Sequence, residues 1–204
     1  LWPVIEEGRE AGARVVVIDP VRTRTAARAD IHVAPLPGTD GALALGLMAE
    51  LGALGAWDEA WLVDRALGWE EFRDTELAGW SAARAAAVCG IEESEVLSLA
   101  RSIAEARPTG IRSSMGMQRH AGGGQASRVV SCLPAVTGDY DRVGGGICYS
   151  TSPAYALNTG ALTRPDLQPR ATRSLAMTRL VHGRLELDDR YSERRRLDGA
   201  ELRL

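Results

Sequence analysis

The chain has 204 residues, of which 45% are apolar and 25% charged, with a formal net charge of −3. That length holds one full core or one and a half domains, in the composition of an ordinary soluble globular protein. The mild acidic balance favours neither nucleic acid nor an anionic membrane surface as a partner. All 24 cationic residues are arginine, a bias that reads as the codon usage of a GC-rich genome rather than a function, although arginine does suit planar anions such as phosphate. Cys89, Cys132 and Cys148 are far apart and form no C-x-x-C pair. This spacing argues against a zinc site, an iron–sulfur site or a disulfide scaffold within the segment. The longest apolar run, Ala42 to Ala56, is broken by Glu50 and is too short to span a bilayer. With no initiator methionine, and Leu1-Trp2-Pro3 reading as the middle of a helix, the sequence has the character of a fragment.

In chain order, Pro3 to Gly12 has helical spacing and closes on a glycine suited to a C-cap. Val15 to Ile18 is a continuous β-branched run, the pattern of a strand covered on both faces in a parallel sheet. A short helix over Thr23 to Ala29 and a strand over Ile31 to Ala34 complete a doubly wound α/β rhythm. Asp40 to Leu54 predicts the best helix, capped by Thr39 or Asp40. Its apolar face is Ala42, Leu43, Leu45, Leu47, Met48 and Leu51. Short amphipathic helices follow over Asp58 to Val88, with Trp57, Trp61, Trp69 and Trp80 among or beside them. Glu92 to Ala106 is a further helix, ended by Pro108.

Thr109 to Ser113 reads as a strand, Ser114 to Gly124 as a glycine-rich loop and Gln125 to Thr137 as a helix. Gly138 to Gly146 is turn-rich, and Cys148 to about Arg179 has little periodicity. Val181 to Leu204 has no core face and reads as an exposed or disordered tail. The expected organisation is a mostly parallel dinucleotide-fold domain over residues 1–108, part of an adjoining α/β domain over 109–180, and an unassigned tail over 181–204.

Two stretches carry candidate chemistry. Asp19 ends a buried strand, where an acid can accept hydrogen bonds from a ribose or a base at the carboxyl edge of the sheet. The same position equally suits a solvated carboxylate opening a turn before Pro20. No G-x-G-x-x-G precedes it, against a standard NAD site. Asp40 fits an N-cap, and a carboxylate is also the natural partner of the adjacent N–H donors of guanine. Arg22 and Arg24, with Thr23, suit phosphate oxygens near that edge, and equally read as isolated surface arginines without a role. In the second stretch, Ser-Met-Gly-Met-Gln-Arg-His-Ala-Gly-Gly-Gly (114–124), glycines let backbone N–H groups approach an anion or a flat heterocycle, with a helix N-terminus behind them. His120 and His32 have no partner at metal-ligand spacing, and His32 is expected to face out from its strand. The three cysteines read as small buried hydrophobes.

The order of the two motifs, VVVIDPVRTRTAARADIHVAPLPGTDGALALGLMAEL and then SMGMQRHAGGGQASRVVSCLPAVTGDYDRVGGG, resembles the middle of a molybdopterin oxidoreductase catalytic subunit of the dimethyl-sulfoxide-reductase/formate-dehydrogenase superfamily. The resemblance runs from about Pro3 to about Leu180, and Asn158 to Leu162 followed by Arg164 to Leu167 also fits it. It implies a bis(molybdopterin guanine dinucleotide) centre of molybdenum or tungsten and a parent reaction of two-electron redox or oxygen-atom transfer. By the same resemblance, Asp19, Pro20, Val21, Arg22 and Thr23 line the guanosine end of one dinucleotide. Gly38, Thr39 and Asp40 sit on the same nucleotide, Asp40 on the guanine. Met115, Gly116 and Arg119 reach the pterin or dinucleotide from the neighbouring domain.

The family's iron–sulfur cysteines, its metal ligand and its C-terminal covering domain have no counterpart in this sequence, so the resemblance assigns this stretch to cofactor binding and expects it to be inactive alone. The tail after Leu180 departs from the pattern, as a truncation or frame break there would produce. The partners implied are a small-molecule substrate, the remainder of the catalytic subunit and an electron-transfer iron–sulfur subunit, with no nucleic acid and no membrane insertion. A cytoplasmic location is expected, with the periplasm as the other setting. Two other readings stand beside this one. One is a non-molybdenum electron-transfer or scaffold subunit of the same fold, as in the large iron–sulfur subunit of NADH dehydrogenase. The other is a plain α/β nucleotide-binding module.

Overall fold

Two pairs of parallel strands, each three residues long, carry the α/β character of the chain. A computed structural model describes residues 2–149 and 159–167. Contacts group the described residues 2–149 into one unit, and the described residues 159–167 lie in a second. In the first unit α1 (Trp2–Glu10) leads to β1 (Val16–Ile18), a single 3₁₀ turn (Ala26–Arg28) and β2 (Ile31–Val33). The helices α2 (Asp40–Ala53), α3 (Glu59–Arg65), α4 (Trp69–Asp74), α5 (Ala82–Cys89) and α6 (Glu93–Glu105) follow. Then come β3 (Gly110–Arg112), a 3₁₀ turn (Met115–Arg119), α7 (Gly123–Val136), a 3₁₀ turn (Asp139–Asp141) and β4 (Gly146–Cys148). The second unit's described part is α8 (Thr159–Thr163) and a 3₁₀ turn (Pro165–Leu167). The expected tail lies outside the described residues.

β1 pairs in parallel with β2, Val17 opposite His32, and β3 in parallel with β4, Ile111 opposite Ile147. The strands thus form two separate two-stranded sheets, and β4, whose first residue closes the stretch read as turn-rich, is a strand. The ladders use alternate residues of β1 and β3. Asp19 N–H donates to the Val33 carbonyl (3.1 Å) and Val15 accepts from Ile31 (3.3 Å), while Ser113 donates to Cys148 (2.9 Å) and Thr109 accepts from Gly146 (3.2 Å). Successive residues of a strand direct their backbone groups to opposite edges, so Val16, Ile18, Gly110 and Arg112 turn theirs away from the partner strand. The short helix expected over Thr23 to Ala29 contracts to one 3₁₀ turn, begun where the Thr23 hydroxyl accepts from Ala26 N–H (3.2 Å).

The core is built around α2. Leu43, Leu47, Met48 and Leu51 are at most 2% exposed, and full burial of such a side chain is worth about 2 kcal/mol before entropy is counted. They pack with Val33, Val96, Leu99, Ala100, Leu133 and Val136. The buried face of α2 is Leu43, Ala44, Gly46, Leu47, Met48 and Leu51. Ala42 and Leu45, expected on it, are only partly buried. A glycine inside a helix costs about 1 kcal/mol relative to alanine, and two of those in α2 mark close crossings. A β-carbon on Gly46 would stand 2.3 Å from Cβ of Ala85 in α5, and one on Gly41 3.3 Å from Cα of Ala126 in α7.

Local chemistry starts the helices. The Asp58 carboxylate accepts from Trp61 N–H (3.1 Å) at α3, and the Ser81 hydroxyl from Arg84 N–H (3.2 Å) at α5. Glu50 of α2 accepts from Ala82 N–H (2.9 Å), so one helix helps cap another. Among the described residues no helix is long and apolar enough to cross a membrane.

Candidate nucleotide cleft between two loops

The carboxyl end of β1, the loop before α2 and the loop before α7 meet at one cleft of about 480 Å³. That volume is within the range of small-molecule sites. Val16, Ile18, Leu43, Leu47, Leu99, Ile103, Ile111 and Leu133 form its apolar body. One wall, from the end of β1 and the loop before α2, carries Asp19, Gly38 and Asp40, and the other, from β3 and the loop after it, carries Arg112, Ser113, Ser114, Gly116, Met117 and His120. The two walls touch. A β-carbon built on Gly38 would lie 3.6 Å from Cβ and Cγ of His120.

Asp19 is held in a turn, its Oδ1 accepting from Val21 N–H (2.8 Å). His32, expected to face out, is half-buried and places Nε2 2.8 Å from the Asp19 carbonyl oxygen, which ties β2 to the end of β1. The strand gives this side chain a neighbour because its register brings it level with Val17.

Neither expected cap closes the N-terminus of α2. Thr39 occupies the cap position without a side-chain bond to the helix, and its hydroxyl donates backwards to the Leu36 carbonyl (2.7 Å). Asp40 is the first helical residue, and among the described residues nothing hydrogen-bonds or ion-pairs with its carboxylate. The helix dipole favours negative charge at that position.

Cys89 supports this loop from below. It is the last residue of α5, its carbonyl accepts from Leu36 N–H (2.8 Å), and its thiol, fully buried, lies 3.5 Å from the Thr39 carbonyl. Burial, then the nearby charge of Asp40, pushes the thiol above its ordinary pKa. Sequence reasoning took Cys89 for a core hydrophobe and missed this positioning role, for which spacing alone carries no signal. Of the other cysteines Cys132 is half-buried, but Cys148 is exposed, contrary to expectation, because β4 ends there at the surface.

The remaining candidates divide. Pro20 and Gly116 line the cleft with Asp19, Gly38 and Asp40. Val21, Arg22, Met115 and Arg119 are exposed and outside its lining, and Thr23 is half-buried with its hydroxyl used by the turn. Arg119 precedes His120, whose ring rests on Gly38. Met117 and His120, from the 114–124 stretch read as a binding loop, also line the cleft, and Arg112 is a lining residue that the sequence reading did not single out. The Met115–Arg119 turn, read there as open loop, brings Met117 and His120 in. Among the described residues no group of three His, Cys, Asp or Glu side chains is placed to hold a metal ion.

The residues present fit the nucleotide arm of a molybdopterin cofactor. The Asp40 carboxylate is an unpartnered acceptor for the N–H groups of a base, and Gly116 lines the cleft with nothing within 4 Å of where its β-carbon would stand. Bare backbone there leaves room for a flat or anionic group.

No family model matches the chain. It is 37% identical over 186 residues to the probable oxidoreductase YoaE of Bacillus subtilis, an alignment covering 91% of this chain and 27% of that protein. It is 32% identical to the dimethyl sulfoxide/trimethylamine N-oxide reductase of Rhodobacter capsulatus (71% of this chain, 18% of that one). To the F420-dependent formate dehydrogenase subunit alpha of Methanocaldococcus jannaschii it is 26% identical (70% and 21%). Acetylene hydratase from Pelobacter acetylenicus has the same fold, at a TM-score of 0.65 and 23% identity over 70% of this chain and 20% of that one. The chain thus spans about a quarter or less of the length of these relatives. It belongs to the molybdopterin oxidoreductase family of the dimethyl sulfoxide reductases and formate dehydrogenases.

Proposed function

We propose that this chain is the guanine-nucleotide-gripping part of a molybdopterin-guanine-dinucleotide-dependent oxidoreductase. The observation that carries the reading is the Asp40 carboxylate, unpartnered at the start of α2 and lining the same cleft as Asp19, Gly38 and Gly116. A carboxylate accepts two parallel hydrogen bonds from guanine N1–H and N2–H₂. Adenine offers one donor beside an acceptor, which the carboxylate repels. Asp19, at the carboxyl edge of β1, is placed for ribose hydroxyls, in the crevice where α/β sheets take nucleotides. Arg22, Thr23, Arg119 and Met115 join the same cofactor from the rim in this reading. Residues 1–108 serve as the dinucleotide-fold half and the strand, turn and helix after residue 109 as the clasp across it.

When bound, the cofactor supplies two-electron chemistry at molybdenum or tungsten, and the protein's part is binding and orientation. The apolar body of the cleft keeps water from the arm, and Cys89 and His32 fix the two loops that hold it. Substrate, the remaining polypeptide of the catalytic subunit and an electron-transfer iron–sulfur subunit complete the enzyme, so the chain alone binds nucleotide without turnover.

Titration of the chain with GDP and ADP, followed by tryptophan fluorescence, tests this. GDP binds, ADP binds at least about tenfold more weakly, and Asp40→Ala removes the difference with at most about 1 kcal/mol of lost stability. GDP binding that Asp40→Ala leaves intact overturns the assignment. A scaffold subunit of the same fold binds neither nucleotide.

A further inference from the structure

We propose that Arg112 is the anion-binding residue of this cleft and sets the direction in which a nucleotide lies: base on the Asp40 wall, phosphates on the β3 wall. The inference rests on the guanine-nucleotide reading above and extends it to the ligand's other end.

The charged lining of the cleft is divided between its two walls. Asp19 and Asp40 line one wall and Arg112 the other. No ion pair joins them, since among the described residues neither acid has a basic group within 4.0 Å and the Arg112 guanidinium has no hydrogen-bond or ion-pair partner. Arg112 is the last residue of β3, exposed, while its neighbour Ile111 packs against the core. The strand thus fixes the root of this side chain beside the cleft while leaving the charge free.

The other arginine that lines the cleft, Arg14, does not share this property. Its NH1 donates to the Ser102 hydroxyl (2.9 Å), and it precedes β1, at the amino end of the strand. Ligands of α/β sheets sit at the carboxyl ends, where Arg112 is. A guanidinium meets a phosphate with two parallel N–H···O bonds. A molecule that offers N–H donors at one end and a diphosphate at the other satisfies both walls in a single orientation.

The test compares guanosine with GDP on the whole chain, at low ionic strength, for the wild type, Arg112→Gln, Arg112→Lys and Asp40→Asn. In the wild type the diphosphate adds at least about tenfold to affinity. Arg112→Gln binds guanosine as the wild type does and loses that increment. Arg112→Lys restores part of it, because charge remains while the planar fork does not. Asp40→Asn weakens guanosine and GDP alike. An unchanged GDP advantage in Arg112→Gln, with Asp40→Asn still weakened, overturns the role of Arg112 and leaves the guanine reading standing. Absence of guanosine and GDP binding in the wild type overturns both. Circular dichroism checks that each variant is folded, which an exposed strand-end side chain makes the expected result.

Discussion

Gly38 and His120 are the point at which the two walls of the cleft touch, across 82 residues of sequence, with 3.6 Å between a β-carbon built on the glycine and the ring. At that spacing a methyl group makes ordinary contact, so the constraint at Gly38 is its backbone, at φ +84°. Gly38→Ala strains a left-handed position by about 1 kcal/mol and displaces the loop leading to Asp40. Gly116 differs, because it has no positive φ and open space where a side chain would go. Melting curves together with GDP titrations separate the two. Gly38→Ala lowers both stability and affinity, whereas Gly116→Val leaves the melt within about 0.5 kcal/mol and lowers affinity alone.

The thiol of Cys89 makes a second prediction, in pH. Burial raises Cys89 and Cys132 above the ordinary thiol range and Tyr140 above the ordinary phenol range. For a group whose folded-state value is raised, stabilisation is complete below the unfolded value and is lost as pH climbs toward the folded one, because the unfolded chain ionises first. Stability against urea is therefore flat around neutrality and falls from about pH 8.5 upward. Cys89→Ala flattens part of that fall. In the native protein at pH 7.5 iodoacetamide modifies the exposed Cys148 and leaves Cys89 intact until denaturant is added. Modification of Cys89 at the rate of Cys148 contradicts the burial.

Where hydrophobic period decides the outcome, the sequence was readable. The β-branched run at 15–18 became β1, and the apolar spacing of α2 and α6 placed both helices within a residue or two of their ends. Asp19, Gly38, Asp40 and Gly116, drawn from two separated motifs, line one cleft. What escaped were features set by neighbours distant in sequence. Gly41 and Gly46 look like helix weakeners until α7 and α5 are seen to need the space. β4 has only three residues and exists through its pairing with β3. His32 and Cys89 gained roles from contacts that no local pattern encodes, and Thr39 lost its capping role to a backward bond.

Asp139 is the polar keystone of the turn between α7 and β4. It is fully buried, and its Oδ2 accepts from the Thr137 hydroxyl (2.7 Å) and from Thr109 N–H (3.3 Å). Its Oδ1 has no hydrogen bond, with the Arg142 guanidinium 3.7 Å away. Asp139→Ala leaves the Thr137 hydroxyl only its longer bond to the Pro134 carbonyl (3.3 Å) and takes the acceptor from the half-buried Thr109 N–H, and costs about 1–3 kcal/mol. Asp139→Asn keeps one acceptor oxygen and costs less. Urea unfolding of both variants measures the difference, and equal small losses refute the keystone role. Since Thr109 leads directly into β3, the alanine variant also loosens the Arg112 wall and weakens GDP.

The two separate sheets give the last prediction. In β1 the amides of Val17 and Asp19 point to β2, whereas those of Val16 and Ile18 point to the cleft edge, where no partner is found among the described residues. In β3 the same alternation separates Ile111 and Ser113 from Arg112. Native-state hydrogen exchange depends on whether an amide is bonded and on what must open to free it. Exchange followed by NMR thus alternates along each strand: slow at Val17, Asp19, Ile111 and Ser113, and faster by at least about tenfold at Val16, Ile18 and Arg112. Uniform protection along β1 means that its outer edge is paired, and the two-stranded description then fails. If GDP slows exchange at Arg112 but not at Val16, the nucleotide occupies the carboxyl end of the cleft rather than its apolar body, as the position of Asp40 requires.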